Sequence, residues 1–164
     1  MRILAIDPGN TYSAYVVMEL PDFLLVEFGK VDNEDLIGRL AELSKTVEAA
    51  AIEMIASYGM AVGKSVFDSC RWIGKFEQEM IRSGGKPELI YRSEEKLCLC
   101  HSMKAKDANI RTALIDRYAK HDFKTGKGTK KEPDTFYGVS ADVWQAIAVG
   151  VTFFEKNIAE QHNI

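Results

Sequence analysis

Cysteine is scarce in this 164-residue chain, and long apolar runs are missing from it. The three cysteines, Cys70, Cys98 and Cys100, are irregularly spaced, which predicts free thiols rather than a disulfide framework. No apolar stretch approaches the roughly 20 residues that cross a bilayer, and the chain begins directly with a strand-like pattern instead of a signal peptide. We therefore expect a single soluble domain, residues 1–164, that stays in the cytosol and has no membrane partner.

Soft metal ligands are also few. The one close group is Cys98, Cys100 and His101. A structural zinc site needs four ligands, usually arranged as two spaced pairs, and the sequence offers no second pair. A zinc centre is therefore not expected at this segment.

A strong charge excess is missing as well, because the formal net charge is only −3 at pH 7. The basic residues are nevertheless concentrated, with nine of the 21 between positions 104 and 131, a segment that contains only three acids. This basic segment is typical of a surface that contacts a phosphate backbone, and a solvated charged loop is an equal alternative. Its basic residues are Lys104, Lys106, Arg111, Arg117, Lys120, Lys124, Lys127, Lys130 and Lys131.

Hydrophobic patterning predicts three short strands followed by alternating helices and strands. Asp-Pro-Gly-Asn and Leu-Pro-Asp turns join the first three strands, which favours an antiparallel meander. The result is an α/β fold with a mixed five-stranded sheet, three antiparallel strands and then two parallel ones, with helices on both faces. The predicted strands are 2–6, 13–18, 23–28, 50–55 and 88–91. The predicted helices are one capped by Asn33, one from about Lys64 to Arg82, one whose apolar stripe includes Ile110, and one capped by Ser140. Residues 120–138 are predicted to be a mobile loop.

Two acids lie where apolar residues would be expected. Asp7 ends the first strand, and Glu53 interrupts the apolar run AAAIEMIA of the fourth. Burying one unpaired carboxylate costs on the order of several kcal/mol, so each acid needs a proton, an ion-pair partner or a metal ion. If these two strands are adjacent and parallel, Asp7 and Glu53 meet at their carboxyl ends, where open α/β sheets bind ligands.

Asp142 is the third acid of this set, in the first turn of the predicted last helix. Each acid has a structural alternative: Asp142 as a helix N-terminal charge, Glu53 as the partner of a buried cation, and Asp7 as a turn former. Together they favour a site for a hard divalent cation, Mg²⁺ with Mn²⁺ as a substitute, because no His or Cys accompanies them. Two such ions can activate water for phosphodiester hydrolysis.

Four segments, in order, resemble the RuvC-like Holliday junction resolvases of the RNase H-like superfamily. They are IDPGNT at 6–11, AIE at 51–53, KAKDANIR at 104–111 and SADVWQAIA at 140–148. The resemblance extends from residue 1 to about 156. It implies a homodimeric, Mg²⁺-dependent endonuclease that nicks branched DNA, with Asp7, Glu53 and Asp142 as its catalytic metal ligands.

The last helix departs from the family pattern, which usually has two acids three residues apart. The second position here is Gln145, whose amide oxygen faces the same side as Asp142 but binds divalent ions more weakly than a carboxylate. We expect Asp142 to hold this side of the metal alone, and the alternative is help from Asp134. The missing charge also leaves open a non-catalytic junction-binding protein. A sugar-kinase or actin-like ATPase domain is disfavoured by the short chain and its single phosphate-type turn.

The resemblance also implies a DNA path along the basic segment and a dimer. Tyr58, just beyond the fourth strand, is either a base-stacking residue at the branch point or an ordinary exposed tyrosine. The second helix contains Phe67, Trp72 and Phe76, which form either a dimer contact or part of the core. The residues expected to contact phosphates, from the helix start and from the loop, are Lys104, Lys106, Arg111, Lys127, Lys130 and Lys131.

Overall fold

A mixed β-sheet lies between two layers of helices in the computed structural model, which describes residues 1–162. The strands are β1 (Arg2–Asp7), β2 (Tyr12–Glu19), β3 (Leu24–Asp32), β4 (Ala49–Met54) and β5 (Pro87–Tyr91). The helices are α1 (Asn33–Lys45), α2 (Lys64–Arg82), α3 (Arg92–Cys100), α4 (Asp107–Tyr118) and α5 (Val143–His162). The sheet order is β3-β2-β1-β4-β5, with antiparallel pairing among β1, β2 and β3 and parallel pairing from β1 through β4 to β5. The predicted sheet is confirmed.

Alternating side chains give the sheet two buried faces, because successive strand residues point in opposite directions. Ala5 and Ala51 belong to the core beneath α5. Ile6 and Ile52 belong to the opposite core, beneath α1 and α2. Helices therefore cover both faces, as predicted, and every second residue of β1 and β4 points toward α5.

Strand β3 is longer than predicted, and its last residue caps α1. It continues to Asp32 because its second half pairs with the start of β2, where Tyr12 is aligned with Asp32. Asp32, rather than the predicted Asn33, caps α1: its carboxylate accepts a 2.9 Å hydrogen bond from the backbone N–H of Glu34. The side chain of Asn33 is buried and has a different role at the turn after β1.

The polar segment 120–138 is a loop, as predicted, but it is held by hydrogen bonds rather than being a mobile connection. The buried carboxylate of Asp134 accepts hydrogen bonds from the backbone N–H groups of Lys120, His121, Asp122 and Thr135. Burial opposes its ionisation, but these donors lower the pKa of Asp134 well below its ordinary value. The oxygens of Asp134 are therefore occupied by hydrogen bonds within the loop. Asp134 does not assist Asp142 at the predicted metal site.

Helix α5 begins at Val143, so Asp142 lies immediately before the helix rather than within its first turn. The chain turns at Ala141, whose φ of 45° is in the left-handed region. The backbone carbonyl of Asp142 accepts a 3.2 Å hydrogen bond from Ala146, which is the position of an N-cap residue. Across residues 1–162, neither this helix nor any other has the length and apolar character of a membrane span.

Candidate active site

Asp7 and Glu53 meet at the carboxyl ends of β1 and β4. Ile6 is aligned with Ile52 in this parallel pair, so the two acids are the next residues on adjacent strands and both point toward α5. Their carboxyl groups are close enough to share a hydrogen bond. Burial, and then the charge of Glu53, raises the pKa of Asp7 to about 9. The structure thus brings together the two acids that the strand pattern singled out.

The turn after Asp7 is fixed by two buried polar side chains. The backbone N–H of Gly9 donates a 3.1 Å hydrogen bond to Ser13 Oγ, and Asn33 Nδ2 donates one of 2.8 Å to the Gly9 carbonyl. Ser13 Oγ also donates to Asn33 Oδ1 at 2.6 Å, which closes the network. Neither Ser13 nor Asn33 was predicted at the site. A polar residue at an inward-facing strand position is the sequence signal that would have identified Ser13.

Substitution of Gly9 by Ala is expected to destabilise the protein by about 2–4 kcal/mol. A Cβ atom at Gly9 would lie 2.2 Å from the backbone oxygen of Tyr12, so the turn that holds Asp7 would have to shift. Gly38→Ala in α1 is the matched control. Within residues 1–162, a Cβ atom added at Gly38 would have no heavy atom within 4 Å apart from its chain neighbours and the nearby backbone of α1. The control is expected to be stabilising by about 0.5–1 kcal/mol. Equal free energies of unfolding in denaturant titrations of the two variants would contradict this account.

The third predicted acid, Asp142, lies near the pair but is bonded to a lysine. Lys30 Nζ is 2.5 Å from Asp142 Oδ2. Lys30 is aligned with Ala14 across the sheet, and Ala14 is aligned with Asp7, so the lysine lies in the same row as the acid pair. The charge of Asp142 also raises the pKa of Asp7. Asp142 is therefore within electrostatic reach of the pair while its carboxylate contacts Lys30.

The donor set has the chemistry of a hard-cation site, although it is not a closed one. Within residues 1–162, no three His, Cys, Asp or Glu side chains are already arranged around one metal position. Asp7 and Glu53 nevertheless present neighbouring carboxylate oxygens, the ligands that Mg²⁺ and Mn²⁺ prefer. The raised pKa of Asp7 favours a protonated carboxyl group on this residue in the absence of a metal, and a divalent ion would replace that proton. These two residues fit such an ion, and Asp142 would complete the site after releasing Lys30.

Two further residues of the site, Arg92 and Glu95, were not predicted. Arg92 Nη1 is 3.6 Å from Glu53 Oε1 and 3.2 Å from Glu95 Oε2. Its second nitrogen, Nη2, forms an ion pair with Asp107 at the start of α4. Glu95 is fully buried, and burial, followed by the charge of Glu53, raises its pKa while Arg92 opposes that shift. The segment RSEEK has the pattern of an exposed charged helix. For this reason the sequence did not identify Arg92 or Glu95 as residues of the site.

Gln145 faces the site, as predicted, but its amide oxygen is already bonded. Arg92 Nη1 donates a hydrogen bond to Gln145 Oε1. The position that departs from the family pattern is thus in contact with a guanidinium group rather than free to bind a cation.

A basic cleft borders the start of α5. It has a volume of about 320 Å³ and is lined by Arg111, Lys124, Lys127 and Trp144, among others. The guanidinium carbon of Arg111 lies 5.4 Å from the ring centre of Trp144, which is adjacent in sequence to Gln145. The structure therefore brings together two of the six residues predicted to bind phosphates, Arg111 and Lys127, and adds Lys124. The other four are exposed outside this cleft: Lys104, Lys106, Lys130 and Lys131.

Tyr58 is 65% exposed in the segment between β4 and α2, a position consistent with both alternatives for it. Of the two alternatives for the aromatic residues of α2, the structure shows core packing for Phe76 and Trp72, and Phe67 does not share their face. Phe76 is fully buried in the core, Trp72 packs against that core, and Phe67 is 59% exposed. Phe67 and Phe76 are nine residues apart, which at about 100° per residue places them on opposite sides of the helix.

No protein-family model and no curated protein matches the sequence. The sheet order and the helices on both faces define an RNase H-like fold. Within that class, the chain has the fold of RuvC. It is similar to Thermus thermophilus RuvC in complex with a Holliday junction substrate, with a TM-score of 0.72 and 15% identity over 93% of this chain and 92% of that chain. A second Thermus thermophilus RuvC structure gives a TM-score of 0.68 and 15% identity over 97% of both chains.

Proposed function

We propose that this protein is a divalent-metal-dependent endonuclease that cuts branched DNA, Holliday junctions in particular, by phosphodiester hydrolysis. The observation that carries the proposal is the contact between Asp7 and Glu53 at the ends of two adjacent parallel strands. Two neighbouring carboxylates in a partly buried position destabilise a fold unless a proton, an ion pair or a metal ion compensates their charge. The likeness to RuvC bound to a junction supports the choice of substrate.

In this proposal, Asp7, Glu53 and Asp142 hold Mg²⁺, for which Mn²⁺ can substitute. When bound, such an ion polarises the scissile phosphate and lowers the pKa of the attacking water. The strand ends fix Asp7 and Glu53, and the buried network of Ser13 and Asn33 keeps the turn after Asp7 in place. Asp142 would turn from Lys30 to help hold the ion, which would leave the lysine free to contact a DNA phosphate.

The basic cleft holds the DNA backbone in this proposal. Arg111, Lys124 and Lys127 bind phosphates within the cleft, and the four exposed lysines at 104, 106, 130 and 131 extend the contact along the duplex arms. Tyr58, exposed beyond the end of β4, stacks on an unpaired base at the branch point. A homodimer supplies the second site that symmetric nicking of two strands requires.

The direct test is incubation of the protein with a labelled four-way junction in Mg²⁺ and in Ca²⁺, with linear duplex of the same sequence as the control substrate. We expect junction cleavage in Mg²⁺, binding without cleavage in Ca²⁺, and neither result at the same concentration with linear duplex. Binding in both ions with cleavage in neither would favour the second candidate, a non-catalytic junction-binding protein. The observation behind that candidate is Gln145, which replaces an acid and is bonded to Arg92.

Replacing the cations of the cleft is expected to weaken junction binding and its dependence on salt. Removing one phosphate-binding side chain, as in Arg111→Ala or Lys127→Ala, lowers the slope of log affinity against log salt concentration by about 0.7–0.9. Lys45→Ala in α1 is the control, since this exposed lysine pairs with Glu42. Fluorescence anisotropy at several salt concentrations measures the slopes. A slope identical in all three variants would exclude the cleft as a DNA-binding surface.

A further inference from the structure

One nitrogen of Arg92 is surrounded by oxygen atoms from three elements of the fold. Nη1 is 3.6 Å from Glu53 Oε1 at the end of β4 and 3.2 Å from Glu95 Oε2 in α3, and it donates a hydrogen bond to Gln145 Oε1 in α5. Two of these three oxygens belong to carboxylates. Oxygens that converge from separate elements on one positive group are the arrangement that a bound divalent cation also requires.

We propose that the guanidinium of Arg92 permanently holds the second cation position of this site, so that each chain binds one divalent ion rather than two. The inference rests on the proposed function, because it presumes that Asp7 and Glu53 bind the first ion. Arg92 and that ion would then share Glu53 as a common ligand, in the way that one carboxylate bridges two metal ions.

Arg92 is held too firmly to act as a removable gate. Its side chain is only 22% exposed, and its second nitrogen forms an ion pair with Asp107 at the start of α4. Glu95 is fully buried, and its Oε1 has no hydrogen-bond partner among residues 1–162, so Arg92 is the cation that compensates this carboxylate. Removing one partner of a buried ion pair is strongly destabilising. Arginine also keeps its charge at any ordinary pH, so protonation does not release it.

The charges present leave room for one divalent ion. Asp7, Glu53 and Asp142 are the carboxylates assigned to the first ion. Of the oxygens around Arg92, that of Glu95 is already paired with the guanidinium, and that of Gln145 carries no charge. A second divalent ion bound to those oxygens would lie close to the fixed positive charge of Arg92. Like charges at such distances repel strongly in a partly buried site.

The test is a count of bound Mn²⁺ per full-length chain, from the electron paramagnetic resonance signal of free Mn²⁺ during titration. The variants are Arg92→Gln, Arg92→Lys, which keeps the charge, and Arg117→Gln. Arg117 is the matched control because it is similarly half-buried, with 28% of its side chain exposed, and pairs with Glu155. We expect one ion in the wild type, in Arg92→Lys and in Arg117→Gln, and two in Arg92→Gln.

The outcomes separate this inference from the proposed function. Two ions in the wild type, or two in Arg92→Lys, would overturn the role of Arg92 and leave the metal-dependent nuclease intact. One ion in folded Arg92→Gln would overturn the role of Arg92 in the same way. No bound ion in the wild type would overturn the metal site itself. If circular dichroism shows that Arg92→Gln does not fold, two ions in the wild type or in Arg92→Lys would still overturn the role of Arg92.

Discussion

Glu53→Gln is expected to reduce cleavage of a four-way junction by about 10³-fold or more while junction affinity changes by less than about twofold. The amide keeps the shape of the side chain and its place next to Asp7 but removes the charge that would bind the cation. Loss of several kcal/mol of transition-state stabilisation corresponds to this change in rate. The DNA contacts assigned to the basic cleft are untouched by the substitution, so binding is retained.

Single-turnover cleavage and binding in Ca²⁺ measure the two effects of Glu53→Gln separately. Glu88→Gln is the matched control: Glu88 lies in the neighbouring strand β5 and pairs with Lys156 at 2.8 Å, outside the cluster around Asp7. The control is expected to cleave at the wild-type rate. Cleavage by Glu53→Gln at a rate near that of the wild type would mean that the metal site has been misplaced.

Asp7→Asn is expected to stabilise the metal-free protein, and more so at pH 8 than at pH 5. Burial raises the pKa of Asp7 from 3.8 to about 9, so the folded protein retains a proton that the unfolded chain releases above about pH 4. That difference lowers the stability of the wild type by up to about 1.4 kcal/mol for each pH unit between the two values. Asparagine does not titrate and is spared this loss.

The free energy of unfolding of Asp7→Asn, relative to that of the wild type, should therefore increase by about 1–3 kcal/mol from pH 5 to pH 8. This is below the full linkage value because the titration of Asp7 is coupled to that of neighbouring groups. Denaturant titrations in EDTA measure it. In Mn²⁺, the wild type is expected to be more stable than Asp7→Asn. Ion binding stabilises the wild type by mass action, whereas the variant lacks the charged ligand. An advantage that stays constant with pH, together with an equal Mn²⁺ response in both proteins, would contradict the electrostatic account of Asp7.

The pairing of Asp7 with Glu53 was predictable because it depends on a few strong signals. Acids that end or interrupt apolar strands are costly, and the order of strands and helices leaves few ways to arrange the sheet. The register then follows from strand alternation, which places both residues on the face toward α5. The same reasoning placed Asp142 near the pair, although its contact with Lys30 depends on the length of β3, which was predicted too short.

Arg92 and Glu95 were not predictable in the same way, because they lie in a short helix whose charged sequence conceals its buried side. Glu95 is buried only because α3 packs against both α4 and α5, an arrangement of distant segments. The loop at 120–138 shows the same limit. Its Gly and Lys content indicates mobility, whereas the backbone donors gathered by Asp134 and the buried ring of Phe136 hold it in place. The opposite placement of Phe67 and Phe76, in contrast, follows directly from helical periodicity.

The central claim is that the carboxylates of Asp7 and Glu53 bind a divalent cation, and anomalous diffraction from a crystal soaked in Mn²⁺ tests it most directly. The account predicts an anomalous peak within about 2.1–2.2 Å of one oxygen from each of these two side chains, with Asp142 turned away from Lys30 toward the peak. The absence of a peak there, at a Mn²⁺ concentration that supports junction cleavage, would contradict it.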